Sequence, residues 1–140
     1  MTTIQLKRQN QAFHLRATNP QGATLDIDGA PAIGGEDKGF RPMEMLLASI
    51  AGCASIDLGL FLKKQRQELR DLEIRVDGTR EAGADLPRVW EKIHLHFTLY
   101  GDLKENRVER ALELAVEKYC SVAEMLKKSA TVTYSYEIRA

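Results

Sequence analysis

Apolar and polar residues alternate along most of this chain, and one stretch breaks the alternation. Residues 3–8 and 12–18 read as two short strands around Asn10. In the second, Phe13, Leu15 and Ala17 alternate with His14, Arg16 and Thr18, the period of a half-buried strand. Asn19-Pro20-Gln21-Gly22 is a turn cluster. Leu25 and Ile27 mark a third strand, ended by Asp28-Gly29. Ala30 to Phe40 is loop-like, with Pro31, Gly34, Gly35 and Gly39; it reads equally as a pocket wall and as a plain connection. The pattern then changes. Pro42 suits the first turn of a helix, where its missing N–H costs nothing. Glu44 follows, favoured there by the free N–H groups. Met45 to Ile56 runs without a charge. A helix apolar all round must be covered on more than one side. The stretch from Pro42 to Gln67, roughly 39 Å long at 1.5 Å per residue, is therefore expected to be a central helix under a sheet and against a second subunit.

Beyond it, Leu72, Ile74 and Val76 alternate with Glu73, Arg75 and Asp77, and a loop is expected at Asp77-Gly78 and Gly83. Arg88 to Tyr100 is the clearest strand. Val89, Ile93, Leu95, Phe97 and Leu99 share one face; Trp90, Lys92, His94, His96, Thr98 and Tyr100 share the other. The two strands are close enough to pair as an antiparallel hairpin. Residues 104–119 predict a helix with Val108, Leu112, Ala115, Val116 and Tyr119 on one stripe. Ser121-Val-Ala-Glu124 has the form of a capping box, with Ser121 as N-cap of a short helix over Val122–Lys128. Val132, Tyr134, Tyr136 and Ile138 close the chain as a final strand. Strands and helices do not alternate singly, so the fold class is α+β with a mainly antiparallel sheet, in one domain over residues 1–140.

Composition narrows the function classes. Lysine plus arginine equals aspartate plus glutamate, so the formal net charge is zero, and nothing recruits nucleic acid or an anionic membrane. The basic run of Lys63, Lys64, Arg66 and Arg70 reads as a solvated helix end. MTTIQLKRQN lacks the apolar core of a signal peptide, and the longest uncharged run falls short of the ~20 residues of a membrane span. The expected location is the cytoplasm, where the two cysteines, Cys53 and Cys120, rest as thiols. They are either reactive or simply small buried hydrophobes, the commoner fate.

The candidate chemistry is thiol chemistry. No nucleophile-elbow, phosphate-cradling or zinc-protease motif is present, and no cofactor or metal is expected. His94 and His96 could offer two ligands from one strand face, but a partly exposed face carrying two histidines is the commoner explanation. Asp57, one turn after Cys53, would oppose ionisation of that thiol and reads as structural or as a partner for a base. A reactive thiol needs a cation or a helix N-terminus, and access. Cys53 stands in a helix interior and needs a cation brought from elsewhere. Cys120 stands near the start of a helix.

The stretch Arg41–Asp57, with its PMEMLLASIAGC core, and the later Glu117-Lys-Tyr-Cys-Ser-Val-Ala-Glu-Met-Leu126 together resemble the OsmC/Ohr superfamily, in particular its OsmC-like, YhfA-type branch. The resemblance runs over nearly the whole chain. It implies an intertwined α+β homodimer with central helices packed together and sites at the subunit interface. In the characterised branches it implies thiol-dependent reduction of organic hydroperoxides in oxidative-stress defence. Cys53 would then be the peroxidatic thiol and Cys120 the resolving one, with a dithiol reductant such as a dihydrolipoyl group. Those branches place an activating glutamate ten residues before the first cysteine, where this chain has Met43; Glu44 stands nine before. On a continuous helix that is about half a turn off and roughly 13 Å along the axis. The activating arginine has Arg41 and Arg16 as candidates, and Cys-Ser stands where those branches usually have Cys-Pro. Two rival readings share the fold: a module holding an apolar small molecule at the interface, and a thiol redox sensor.

Overall fold

Three short antiparallel strands open the chain: β1 (Gln5–Arg8), β2 (Leu15–Thr18) and β3 (Thr24–Ile27), hydrogen-bonded in that order. The structure is a computed structural model and describes residues 1–80, 83 and 87–140. The second strand starts three residues later than its alternation suggests. Asn10 Oδ1 accepts the backbone N–H groups of Ala12 at 3.0 Å and His14 at 3.2 Å, which curls that segment into a turn. After β3 the glycine-rich loop is strapped down by a buried carboxylate. Asp28 accepts N–H groups from Gly29 at 2.7 Å, Lys38 at 3.1 Å and Glu36 at 3.2 Å. Burial alone would raise the Asp28 carboxyl; the three N–H groups outweigh it and hold it below the usual carboxylate range. Gly35 is required in this loop, because a Cβ there would lie 1.9 Å from the Gly29 carbonyl oxygen.

The long helix is α1 (Pro42–Lys64). It ends three residues earlier than expected. Arg66 takes the left-handed conformation (φ 56°), its N–H bonds to Lys63 and that of Gln67 to Leu62. This is a Schellman stop with arginine in the place usually held by glycine. Residues Met1–Leu46 and Leu47–Ala140 form two compact units.

The second unit is a three-stranded sheet with helices on one face. It comprises β4 (Asp71–Thr79), β5 (Lys92–Tyr100), α2 (Glu105–Leu112), a π-helical segment Glu113–Tyr119, α3 (Ser121–Leu126) and β6 (Thr131–Arg139). The β4–β5 pair is the expected antiparallel hairpin, but β6 joins β5 in parallel, with His96 opposite Ser135. The helical segments between them form the crossover a parallel pair needs. The α+β class therefore holds, with two small sheets and one parallel pair. Strand β4 also runs on through Asp77-Gly78, where a loop was expected. A Cβ on Gly78 would meet the Trp90 ring at 2.9 Å and Leu47 at 3.0 Å, so glycine here marks close packing and not a turn. The unit's core comprises Ile50, Ala54, Leu58 and Leu62 of α1, Ile93, Leu95, Phe97 and Leu99 of β5, and Val108, Ala111 and Leu112 of α2. Ala115, Val116, Cys120, Ala123 and Ala130 complete it.

Candidate active site

Cys53 lies one position before Ala54, at the edge of the buried stripe of α1, and is half-buried against the core. Cys120 is 2% exposed. The two thiols are free and belong to one core cluster, close enough for Cys53 to act on the ionisation of Cys120. Burial first, and then the neighbouring Cys53 thiol, pushes the Cys120 thiol up from 9.0 to about 11, against the opposing pull of the Ala123 and Val122 N–H groups. Cys120 is thus held as a protonated thiol across the neutral range.

Two local devices place Cys120. The helix expected over 104–119 is α-helical only as far as Leu112; the next seven residues are π-helical. The Cys120 N–H accordingly bonds to Ala115 O, five residues back, at 3.0 Å. Continued α-winding would set residue 119 above Ala115 instead. Tyr119 was expected on the core stripe, but with the wider turn it is 51% exposed. It packs its ring against Phe61, centroids 5.3 Å apart, with Lys118 and Lys64 over the two rings. The second device is the start of α3. Its N-cap is Cys120 and not Ser121: Cys120 Sγ accepts the Ala123 N–H at 3.3 Å. The capping-box spacing is displaced by one because the π turn delivers a sulfur where a hydroxyl was expected.

The other expected site residues lie in the first unit and pair locally. Glu44 accepts the Arg41 backbone N–H at 2.9 Å, the return arm of a helix cap. The Arg41 guanidinium pairs with Asp37, and this bond with the neighbouring carboxylates outweighs burial and leaves it above its ordinary value. Arg16 binds Asp26 at 3.0 Å across β2 and β3. On the outer face of β5, His94 contacts Thr133 and Ser135, and His96 contacts Ser135 and Glu137. Among the described residues no group of three or more histidine, cysteine, aspartate or glutamate side chains is placed to hold a metal ion.

Sequence reading missed the π turn, the sulfur cap and the Phe61–Tyr119 pair. An apolar stripe tells helix from strand, but it does not distinguish α from π winding over seven residues.

Comparisons with known proteins agree with this architecture. The family described as OsmC-like protein matches residues 35–135. Protein YhfA of Escherichia coli K12 is 46% identical over 105 residues, covering 74% of this chain and 77% of YhfA. The crystal structure of a hypothetical protein from Aquifex aeolicus VF5 is 30% identical, covers 100% of this chain and 98% of that one, and superposes with a TM-score of 0.81. The organic hydroperoxide resistance protein OhrB of Bacillus subtilis, 20% identical, covers 98% of each chain with a TM-score of 0.69, a likeness of fold. With its family match over most of its length and a relative at 46% identity, the chain belongs to the OsmC-like protein family.

Proposed function

We propose that this protein is a peroxiredoxin-like stress protein that reduces organic hydroperoxides with its two thiols, Cys53 as the peroxidatic and Cys120 as the resolving cysteine. The observation that carries the reading is that both thiols pack in one core cluster, with Cys120 buried there and kept protonated beside Cys53. A buried thiol of raised pKa is a poor first nucleophile and a suitable second one. In the first step the Cys53 thiolate attacks the distal peroxide oxygen. The O–O bond breaks, the alkoxide leaves and takes a proton as the alcohol, and Cys53 becomes a sulfenic acid. Cys120 then attacks the Cys53 sulfur, water departs, and a disulfide forms. A dithiol reductant returns both thiols. The resistance activity named for the fold relatives points the same way.

The protein acts as a homodimer in this reading. On α1 only Ile50, Ala54, Leu58 and Leu62 are fully buried. Ile56 is 65% and Leu60 54% exposed, and Gly52 and Gly59 face open space. An apolar face with two bare glycines suits close approach of a second copy of the same helix. Although α1 is long and apolar enough to cross a membrane, its buried stripe belongs to the core. The cytoplasm, where thiols stay reduced, suits the chemistry. Ile56→Lys should shift the sedimenting species from dimer to monomer; an unchanged dimer would remove this face from the interface.

The test of function is a thiol titration before and after one equivalent of cumene hydroperoxide. Native protein should lose both thiols, Cys120→Ser one, and Cys53→Ser none. Two persistent thiols in the native protein would sink the peroxidase reading. They would leave the rival, a small-molecule-binding or redox-sensing protein of the same fold. The local pairing of Glu44 and Arg41 favours that rival.

A further inference from the structure

We infer that the π-helical turn, clamped by Lys127, is the device that sets Cys120 against Cys53, and that Lys127 is a positioning residue for closing the disulfide. The inference rests on the two-thiol reading above and adds a part to it. Helical segments with five-residue bonding are rare and cluster at functional sites. This one is seven residues long and ends at the cysteine. Its winding changes which residue faces inward. The five-residue bond from Cys120 to Ala115 turns Cys120 into the core beside Ala115 and Val116, and turns Tyr119 out. Under α-winding the two would exchange roles, with Cys120 rotated by about 100° from the position above Ala115.

Such a turn ends with carbonyls that lack helical partners. Lys127 supplies them. Its Nζ donates to Val116 O at 3.1 Å and to Glu117 O at 3.3 Å. Lys127 is also the C-cap residue of α3. One ammonium therefore ties the end of the π turn to the end of the helix that Cys120 begins. Cys120 sits between these two anchors, its N–H held by Ala115 and its sulfur by Ala123. Lys127 touches neither sulfur through any of these bonds; it acts through the backbone that carries Cys120.

Diamide provides the test, because it closes a dithiol without any peroxide chemistry. It accepts two electrons and two protons and becomes the hydrazine, while the thiols become a disulfide. Closure is followed by acid quench and intact mass, alongside the alkylation rate of Cys53 and the melting temperature. Lys127→Ala should slow closure roughly tenfold, the effect of losing a charge-assisted hydrogen bond, while Cys53 alkylates at its native rate. Lys127→Arg, which keeps a cation and its N–H donors, should restore most of the rate. Deletion of Lys118, which removes the extra residue and favours α-winding, should abolish closure in a protein that still melts cooperatively. Native closure rates in Lys127→Ala would overturn the inference, as would closure by the folded deletion variant or failure of the native protein to close. If the native protein closes with diamide and ignores hydroperoxide, the peroxidase reading falls and the positioning role stands.

Discussion

The two cysteine neighbourhoods are built on opposite principles. Cys53 stands in the middle of a regular 23-residue α-helix, half-buried at the border of a stripe that the core holds firmly. Cys120 stands at a discontinuity: a π turn stops on it, a six-residue helix starts on it, and its own sulfur makes the cap. The first site is positioned by packing, the second by hydrogen bonds. In the proposed chemistry that difference has a use. The attacking sulfur needs access and a fixed place. The resolving sulfur has to remain protonated and close by until a sulfenic acid forms, and then move onto it. A segment at the junction of two short helical pieces with an unusual bonding pattern reorganises at lower cost than the middle of a packed helix.

The largest expected effects are at the sulfurs themselves. With Cys120→Ser, one equivalent of hydroperoxide should leave a sulfenic acid on Cys53 that dimedone traps quantitatively; with Cys53→Ser, dimedone should trap nothing. Labelling of Cys120 in the second variant would reverse the assignment. Next in size is the packing beneath the first site. Leu58 is fully buried on the stripe that carries Ala54. Leu58→Ala should lower unfolding free energy by roughly 2–5 kcal/mol in a denaturant titration; a loss well under that range would mean that the core does not position α1.

Smaller effects separate the two jobs of Cys120. As an N-cap, sulfur is a weaker acceptor than a hydroxyl. Cys120→Ser should therefore keep the cap, and Cys120→Ala should lose it, with Ala less stable than Ser by roughly 0.5–2 kcal/mol. Equal stabilities would show that a side-chain cap at this position contributes nothing. The second job reads out in pH. The Cys120 thiol is raised in the folded protein from 9.0 to about 11. Its contribution to stability is therefore complete below pH 9.0 and is lost as pH rises toward about 11, because the unfolded thiol ionises first. The melting temperature of the native protein should fall through that window more steeply than that of Cys120→Ser. Parallel slopes would argue that the thiol is not held protonated by the fold.

The same contrast explains how much of the molecule was legible in its sequence. The α1 stretch announced itself, because Pro42 and Glu44 mark its start and Met45 to Ile56 carries no charge. Strand β5 was equally plain from the alternation of Ile93, Leu95, Phe97 and Leu99. The parallel partnership of β6 was not, since alternation gives a strand's faces and not its direction. The second cysteine's setting was visible only in outline. Val108, Leu112, Ala115 and Val116 fit an α stripe as well as they fit α followed by π, and only the place of Tyr119 distinguishes the two. The Ser121–Glu124 spacing promised a cap at Ser121, and the bond formed one residue earlier. Of the polar residues singled out, Arg41 and Glu44 are joined at the start of α1 by a helix-capping bond. Short-range hydrogen bonds of this kind leave little trace in residue type or spacing.

The two-thiol mechanism is tested by the intact mass of the native protein after one equivalent of organic hydroperoxide under denaturing quench. The expected result is a fall equal to two hydrogens, mapped by peptide analysis to a Cys53–Cys120 disulfide. A gain of one oxygen with Cys120 still a thiol, or no change at all, would contradict it.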